Sequence, residues 1–547
     1  MKYIFLAFAL CMSTAGFSQQ KSLDGAEILK EIHKTGVLNR VLYFAAHPDD
    51  ENTRLIAYLS KGMNVETAYF SLTRGDGGQN LIGDEKGELL GMIRTQELLE
   101  ARREDGGTQY FSRAIDFGYS KSAEETFKHW DKQVLLEDAV RVIRKFKPDV
   151  IVTRFPPDSR AGHGHHTVSA MIADEAFDLA ADPKQFPETA KEFGAWQVQK
   201  LYWNESSWWN KTIHEHKDEY TTTNFGQFDP VLGVSYAEIA SVSRSQHQSQ
   251  GFGMSIQRGD KLEYMKLIKG DSTQKDVLQN NIRVWSDVEG GKVIQKQLDK
   301  ILSKYDVTAP SNSIDALMDL YVAINAMPDN RFKQQKVESV KDIIAACAGL
   351  WMDFRTEKPL LVVNEDFQAK AYIISQTNYP FELTSVKMGS VEKTMSERLK
   401  NTYFEVESEL PGITQVSNPY WLAEENDGNT FTVPNPDLIG QPENDAVVEA
   451  TFTITTLKGD LVYTRPLVYK WTDRVRGELY RPVNVVEPLS VSFSKKVTLS
   501  LNNEIQVRVR ANKEAKNVKA QLSWGGNKQF TSEVIEIESL MEGQSMP

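Results

Sequence analysis

The first half of the chain alternates short apolar runs with amphipathic segments. Three runs rich in apolar and β-branched residues have the length of buried strands: residues 40–46, 65–73 and 149–153. Three segments carry apolar side chains at helical spacing: residues 52–61, 89–103 and 135–146. Strands and helices that alternate in this way predict an α/β domain, in which helices cover both faces of a parallel sheet. Ligands of such sheets bind beyond the carboxyl ends of the strands.

The second half of the chain has a different pattern. From about residue 286 it is helical, and from about residue 360 short β-rich runs are separated by Asn, Pro and Gly. The latter pattern is typical of one or two antiparallel β-sandwich domains. We expect a signal peptide, an α/β domain, a helical segment, a β-sandwich-like domain and a β-rich end whose completeness stays open, in this order: residues 1–18, 19–275, 276–352, 353–485 and 486–547.

The end of the chain holds too few predicted strands for a complete sandwich. Residues 497–510, 518–524 and 534–539 supply about three strands, whereas a sandwich usually needs around seven. Unpaired strand edges favour aggregation. We expect either that these strands complete the preceding β-domain or that the natural chain continues past Pro547.

Composition narrows the class of protein. The net charge of −12 argues against a nucleic-acid binder, which usually has a basic surface. The chain begins with features typical of a cleavable signal peptide: Lys2, a short apolar stretch, and small residues near Ser18. We therefore expect a periplasmic or secreted protein. No later run reaches about 18 apolar residues, so we expect no membrane span in the mature chain. Cys347, in an apolar run, is expected to be buried rather than nucleophilic.

The strongest chemical signal is the stretch Ala-His-Pro-Asp-Asp-Glu at residues 46–51. It follows a predicted strand and precedes a predicted helix, so its side chains lie at the ligand-binding edge of the sheet. His47 and Asp50 can face one site across the turn at Pro48, and zinc readily binds histidine nitrogen and carboxylate oxygen. By itself the stretch also fits a turn and a helix N-cap, with Asp49 or Asp50 as the capping residue.

A second signal follows the strand at 149–153. Residues 162–166 read Gly-His-Gly-His-His, which places three of the nine histidines of the chain within four positions. A third protein ligand from this cluster leaves an open position for water, as in catalytic zinc sites. Alone, the cluster also fits a polar loop. Two such signals at strand ends of one α/β domain favour a shared site.

Together these motifs resemble those of the LmbE-like (PIG-L) zinc N-deacetylases, over roughly residues 41–264. That family has a strand-end His-Pro-Asp-Asp-Glu motif and a later His-x-x-His motif, which residues 163–166 match. The resemblance implies that zinc is bound by three residues: His47, Asp50 and His166.

The resemblance also implies which groups transfer protons. Asp49 would be the general base, and His163 would stabilise the oxyanion or protonate the leaving amine. The usual form of the second motif is His-Pro-Asp-His, and this chain departs from it at Gly164 and His165. His165 either only resembles a ligand or, as we expect, supports a ligand from behind.

Further stretches match the same family. Residues 72–78 resemble its glycine-rich loop, and residues 94–101 resemble its Arg-x-x-Glu-x-x-x-Ala helix. The resemblance implies that Arg74 and Arg94 line the substrate site. The alternative is that Arg94 lies on the surface and pairs with Glu97, which would contribute little to the stability of the fold.

Other residues have more than one interpretation. His247 lies in a segment that resembles the family's His-x-Ser-Gln, and a structural role for it is at least as well supported as a chemical one. Several tryptophans crowd one stretch and would either stack on sugar rings or, as we rather expect, pack a domain edge: Trp196, Trp203, Trp208 and Trp209.

We therefore predict a secreted or periplasmic, Rossmann-like α/β hydrolase. It would use Zn²⁺ to remove acetyl from an N-acetylated amino sugar, such as an N-acetylglucosamine-type glycan, with protein or glycan contacts through the β region. Two alternatives stay open: an amidase that acts on a non-sugar conjugate, and a carbohydrate-binding protein that has lost catalysis. The presence of Asp49 beside a full ligand set argues against the second.

Overall fold

The structure is a computed structural model that describes residues 22–207, 209–271, 282–493, 507–521, 523–524 and 530–546. The predicted signal peptide, Trp208 and most of the predicted strand at 497–510 lie outside these residues. Within the described part of the chain, no helix is both long and apolar enough to cross a membrane.

The amino-terminal region builds a sheet between layers of helices. Its strands are β1 Arg40–Ala45, β2 Glu66–Thr73, β3 Thr108–Ala114, β4 Val150–Thr153, β5 Lys200–Glu205, β6 Thr221–Asn224, β7 Phe228–Asp229, β8 Val234–Ser235 and β9 Leu262–Gly270. Its helices are α1 Gly25–Gly36, α2 Thr53–Ala57, α3 Glu88–Asp105, α4 Ala123–Thr126, α5 Lys132–Phe146, α6 Gly164–Leu179, α7 Pro187–Phe193 and α8 Tyr236–Arg244.

The strands of the main sheet lie in the order β3-β2-β1-β4-β5-β9-β6. Those from β3 to β5 are parallel, and β9 runs antiparallel to both β5 and β6. The predicted α/β domain with a parallel-sheet core is therefore confirmed. Because β1, β3 and β4 run in the same direction, their carboxyl ends lie at one edge of the sheet, where ligands of such folds bind.

β1 shows why the sheet is buried on both sides. Every residue of this strand is buried, as expected for a central parallel strand. Tyr43 belongs to a core with side chains of α2, α3 and α8, whereas Phe44 belongs to a second core with side chains of α5 and α6. Successive side chains of a strand point to opposite faces, so this alternation defines the two helical layers.

The remainder of the chain adds helices and further strands. The helices are α9 Lys292–Lys304, α10 Ile314–Asn325 and α11 Lys333–Ala348. The strands are β10 Leu350–Thr356, β11 Leu360–Val362, β12 Phe367–Ser375, β13 Glu382–Met388, β14 Val391–Arg398, β15 Phe404–Leu410, β16 Glu449–Thr456, β17 Gly459–Asp473, β18 Gly477–Pro482 and β19 Asn484–Val486.

The long strand β17 joins two groups of strands. Its first half pairs with β16, which leads to β13 and β14, and its second half pairs with β10 and β18. Inward side chains from both groups, including Phe354 and Phe452, share one core with side chains of α9, α10 and α11. The predicted β-rich region is confirmed, and the helices within the predicted helical segment pack on this sheet.

α1 also belongs to this second core. Its buried Ile28 and Ile32 lie in the same cluster as residues of α9 and α11. The predicted catalytic domain of residues 19–275 therefore begins with a helix that packs against the following region. Cys347 of α11 is buried in this core as well, and burial raises the pKa of its thiol to about 12.

The strands after residue 488 are β20 Leu489–Phe493, β21 Val507–Ala511, β22 Ala515–Ala520, β23 Ser523–Trp524, β24 Phe530–Thr531, β25 Ile535–Leu540 and β26 Ser545–Met546. As far as the structure describes them, they pair only with one another, around a small core that includes Val509 and Leu540. Whether this region is incomplete stays a prediction.

Candidate active site

The two sequence motifs meet at the carboxyl edge of the main sheet. Residues 46–51 follow β1, and residues 163–166 follow β4 and lead into α6. The first loop closes on itself, because the His47 backbone N–H donates to Asp50 Oδ2 at 2.8 Å. His47 Nδ1 lies 3.0 Å from the same oxygen.

His47, Asp50 and His166 form a compact set of donor atoms. His166 Nε2 lies 3.4 Å from Asp50 Oδ1, so the two carboxylate oxygens face one histidine each. One ligand atom from each residue lies within 4.8 Å of the others. Two imidazoles and one carboxylate are a donor set that suits zinc with an open position.

Neighbouring groups hold His166 in this orientation. Its Nδ1 lies 3.1 Å from the Ala161 carbonyl oxygen, and the Phe155 ring stacks on it at 3.8 Å and 4°. A hydrogen bond from Nδ1–H leaves Nε2 as the ligand nitrogen. Burial raises the pKa of Asp50, but His166 and His47 outweigh it and hold that pKa well below its usual value.

A second group of donors, His47, His163 and His165, lies equally close together. It is the less suitable catalytic site, because His165 is fully buried. Asp50 and His166, by contrast, line a cavity. An open coordination position needs access for water and substrate, which favours the set with Asp50 and His166.

His165 lies directly behind His47. Its Nδ1 is 3.1 Å from His47 Nε2, and its ring stacks on Trp130 at 4.2 Å. Burial, together with the neighbouring His47, lowers the pKa of His165, so the imidazole is neutral. These contacts support the expectation that His165 orients a ligand and does not itself bind the metal.

His163 caps the amino end of α6. Its Nδ1 accepts the His165 backbone N–H at 3.2 Å and lies 3.3 Å from Ser120 Oγ. Burial, with His47 and His166, lowers the pKa of His163 to about 3. A neutral imidazole that accepts at Nδ1 carries its proton on Nε2, so His163 has a hydrogen-bond donor to offer.

Gly164 explains one departure from the family motif. Its backbone N–H donates to the Ser120 carbonyl oxygen at 2.9 Å, which proline cannot do. A Cβ atom at this position would lie 2.3 Å from the Ser122 carbonyl oxygen. The segment at 120–126 therefore packs so closely on α6 that only glycine fits.

Asp49, the predicted base, is paired with Arg94. Arg94 Nη2 donates to Asp49 Oδ1 at 2.7 Å, and its Nη1 donates to the Gly75 carbonyl oxygen at 3.0 Å. Arg94 is 3% exposed, so the alternative of a surface arginine paired with Glu97 is wrong. Asp49 lines the cavity and Arg94 does not, which makes Arg94 a positioning residue behind the predicted base.

Comparison with known proteins now identifies this region. Residues 42–177 match the family model described as PIG-L: GlcNAc-PI de-N-acetylase. These residues form a PIG-L (LmbE-like) domain.

Curated relatives are similar to about a third of the chain. The 1D-myo-inositol 2-acetamido-2-deoxy-alpha-D-glucopyranoside deacetylase of Streptomyces scabiei is 30% identical over 185 residues, which cover 30% of this chain and 55% of that protein. The mycothiol S-conjugate amidase of Streptomyces coelicolor is 31% identical over 184 residues, which cover 30% of this chain and 60% of that protein. The chain thus spans somewhat more than half the length of these relatives.

Among solved structures, N,N'-diacetylchitobiose deacetylase from Pyrococcus horikoshii, complexed with its inhibitor MPG, is similar at 18% identity. The match covers 42% of this chain and 84% of that chain, with a TM-score of 0.26.

Arg74 of the PIG-L domain does not lie where we predicted. It is 1% exposed and donates to the carbonyl oxygens of Gln441 and Pro442, at 3.1 and 2.9 Å. Its guanidinium lies 4.4 Å from the Phe111 ring centre and 4.6 Å from that of Trp421. Instead of lining the substrate site, Arg74 ties the PIG-L domain to the segment before β16.

Asp116 is a site residue that the sequence analysis missed. It follows β3, and its Oδ1 and Oδ2 lie 3.7 Å from His165 Nδ1 and 3.9 Å from His47 Nε2. Its backbone N–H donates to Asp76 Oδ2 at 3.2 Å. Burial and the charge of Asp116 raise the pKa of Asp76 to about 7. Its position after a strand of the same sheet would have identified Asp116, had β3 been predicted.

His247 has a structural role in the PIG-L site. Its Nε2 lies 2.8 Å from Glu51 Oε1, and both side chains are fully buried. Arg102 Nη2 donates to the same oxygen at 3.2 Å. His247 thereby fixes the last residue of the first motif from behind.

The metal-ligand set opens into a cavity of about 510 Å³, a size that suits a small-molecule site. Trp209 and Phe155 contribute aromatic surface to its wall. Trp203 is buried in β5, and Trp196 donates from Nε1 to the Pro148 carbonyl oxygen at 2.7 Å. The tryptophans therefore divide: Trp209 can contact a ligand, whereas Trp196 and Trp203 pack the domain.

Proposed function

We propose that this PIG-L domain is a zinc-dependent hydrolase that removes acetyl from an N-acetylated amino sugar. The observation that carries the proposal is the convergence of two imidazoles, one carboxylate and a separately held carboxylate, Asp49, at one cavity. The names of the relatives, a deacetylase of an acetamido sugar among them, support the same chemistry.

The three donors fit the ion chemically. His47, Asp50 and His166 offer two nitrogens and an oxygen, held by hydrogen bonds from the surrounding loop, and leave one side open to the cavity. When bound, zinc supplies Lewis acidity, which polarises the acetyl carbonyl and acidifies water.

Asp49 is the proposed general base. Its carboxylate lines the cavity beside Asp50, within reach of a water molecule that approaches the metal side of the site. The hydrogen bond from Arg94 occupies Oδ1, which leaves Oδ2 to accept the proton. Arg94 thus orients the base without contacting the substrate.

His163 is the proposed oxyanion donor. Because Nδ1 accepts the His165 backbone N–H, the neutral ring carries its proton on Nε2. A fixed neutral donor stabilises the developing oxyanion without surrendering a proton. This tautomer favours oxyanion stabilisation by His163 over protonation of the leaving amine. We assign that protonation to Asp49, which passes on the proton that it has accepted from water.

A second candidate activity is hydrolysis of an amide in a conjugated amino sugar. The relative named as a mycothiol S-conjugate amidase favours it. The signal-like residues 1–18 support a periplasmic or secreted location for either activity.

The test is metal content and acetate release from one preparation. We expect about one zinc ion per chain by mass spectrometry of the metal. We also expect acetate release from N-acetylglucosamine, its disaccharide or its inositol glycoside, and none from N-acetyl amino acids. Zinc-loaded protein that releases acetate from none of the sugars would contradict the proposed deacetylase, and release only from larger amide conjugates would favour the amidase.

A further inference from the structure

The wall of the active-site cavity carries arginines that the proposed reaction does not use. Arg54, Arg154 and Arg244 all line the cavity that contains Asp50 and His166. Arg54 is neutralised, because its Nη2 lies 2.8 Å from Glu263 Oε1. Arg154 and Arg244 are different: among the residues that the structure describes, neither has a carboxylate oxygen within 4 Å.

Each of these two arginines is held beside the metal-ligand set. The Arg154 guanidinium lies 5.2 Å from the ring centre of Trp209, which in turn contacts Phe155, the residue stacked on His166. The Arg244 guanidinium lies 4.0 Å from the ring centre of Phe252, and its Nη1 donates to the Asp49 backbone carbonyl.

The acidic residues of the cavity do not balance these charges. Each of its carboxylates is already paired with another group. Asp49 is paired with Arg94, Asp50 with the two ligand histidines, and Glu51 with Arg102 and His247. In the described residues, the two guanidinium groups therefore have no carboxylate in direct contact. Arg244 acts on Glu51 only at longer range: burial raises the pKa of Glu51, and the larger effects of His247 and Arg102, to which Arg244 adds, outweigh burial and lower it. Guanidinium groups bind carboxylate, phosphate and sulfate through paired charge-assisted hydrogen bonds, whereas a neutral sugar does not require them.

We propose that Arg154 and Arg244 bind an anionic group of the substrate, so that the enzyme acts on acidic N-acetyl amino sugars. This inference rests on the proposed deacetylase function and names its substrate class. The shared chemistry is a carboxylate, phosphate or sulfate on the same molecule as the acetamido group.

The first test compares neutral and anionic sugars. Initial rates of acetate release are measured with N-acetylglucosamine, its 6-phosphate, its 6-sulfate and N-acetylmuramic acid, whose lactyl group supplies a carboxylate. We expect a kcat/KM for at least one anionic sugar about 10- to 100-fold above that of the neutral sugar, the worth of one to two charge-assisted contacts. The preferred member of the panel identifies the anion.

Variants test whether the arginines cause the preference. Arg154→Gln and Arg244→Gln should each reduce the ratio of anionic to neutral kcat/KM by about 10-fold or more, and Arg154→Lys should restore part of it. A general loss of activity lowers both kcat/KM values by the same factor, so it leaves this ratio unchanged. Arg160→Gln is the matched control, because Arg160 is exposed and ion-paired with Asp158, and it should leave the ratio unchanged.

A binding measurement separates this inference from the deacetylase proposal. Calorimetry of zinc-loaded protein with glucose 6-phosphate and with glucose needs no turnover, and we expect binding of the phosphate that is lost in Arg154→Gln. If no sugar releases acetate but this binding is found, the proposed reaction fails and the anion site stands. Equal rates for neutral and anionic sugars, or phosphate binding that survives both Gln substitutions, would overturn the anion site.

Discussion

Replacing Arg74 by Met tests the role that the structure gives to this arginine. Methionine keeps much of the stem volume but removes every donor. Arg74 donates to Thr95 Oγ1, Tyr420 Oη and the carbonyl oxygens of Gln441 and Pro442. We expect the variant to lose stability while its catalytic site stays intact.

The size of the effect follows from which acceptors lose their donor. Gln441 keeps a hydrogen bond from Tyr420 Oη, whereas no other donor to Pro442 is found in the described residues. An unsatisfied buried acceptor costs about 1–3 kcal/mol, and the partly buried Pro442 oxygen corresponds to the lower half of this range. Loss of the cation–π contacts with Phe111 and Trp421 costs about 1–2 kcal/mol more. Burial lowers the pKa of Arg74, so removing the charge returns part of its desolvation cost. We expect a net loss of about 2–4 kcal/mol.

Thermal unfolding and steady-state kinetics check this prediction. For a domain of this size, the expected loss lowers the unfolding midpoint by roughly 4–16 °C. At a temperature where both proteins are folded, kcat/KM should stay within about threefold of the parent, since Arg74 is outside the cavity. Arg94→Met is the matched control. Its main effect should be a lower kcat, with a smaller effect on the unfolding midpoint. A hundredfold loss of kcat/KM in Arg74→Met with an unchanged midpoint would refute the reasoning and restore a substrate-binding role.

Three further outcomes are expected. Asp49→Asn should keep its zinc and lose about 10²–10⁴ in kcat, whereas Asp50→Asn should lose zinc; the reverse pattern of metal content would exchange their roles. Chelation should abolish acetate release, and added zinc should restore it; full activity of the chelated protein would exclude a metal reaction. Asp76→Asn should stabilise the protein mainly above pH 7. The pKa of Asp76 is about 7 in the folded state and near 3.9 in the unfolded state, so the parent loses stability as the pH rises from about 4 to 7, and the variant does not. A pH-independent difference between the two unfolding midpoints would contradict that assignment.

Much of the site was predictable because its signals are local. The run that forms β1 is apolar throughout, which indicates a strand buried on both faces. Its motif follows within two residues, so chain direction alone brings His47 and Asp50 to the ligand-binding edge. The histidine cluster follows β4 in the same way, and the parallel pairing of β1 with β4 brings His166 to Asp50.

Other features had no local signal. β3, in which buried, half-buried and exposed residues are mixed without a regular alternation, was missed, and Asp116 was missed with it. α1 is amphipathic, but its sequence does not reveal that its apolar face packs on α9 and α11, more than 250 residues away.

The sequence by itself determined the α/β alternation and the β-rich second half, because periodicity acts within a few residues. The resemblance of its two motifs to a known family supplied the donor residues of the candidate metal site. Only the tertiary structure decided which groups each arginine of this region contacts. Arg74 and Arg94 belong to neighbouring family-like stretches, yet one meets backbone carbonyls of residues 441–442 and the other meets Asp49. A guanidinium binds whatever acceptors the fold brings to it, and contacts across hundreds of residues are settled by packing rather than by local pattern.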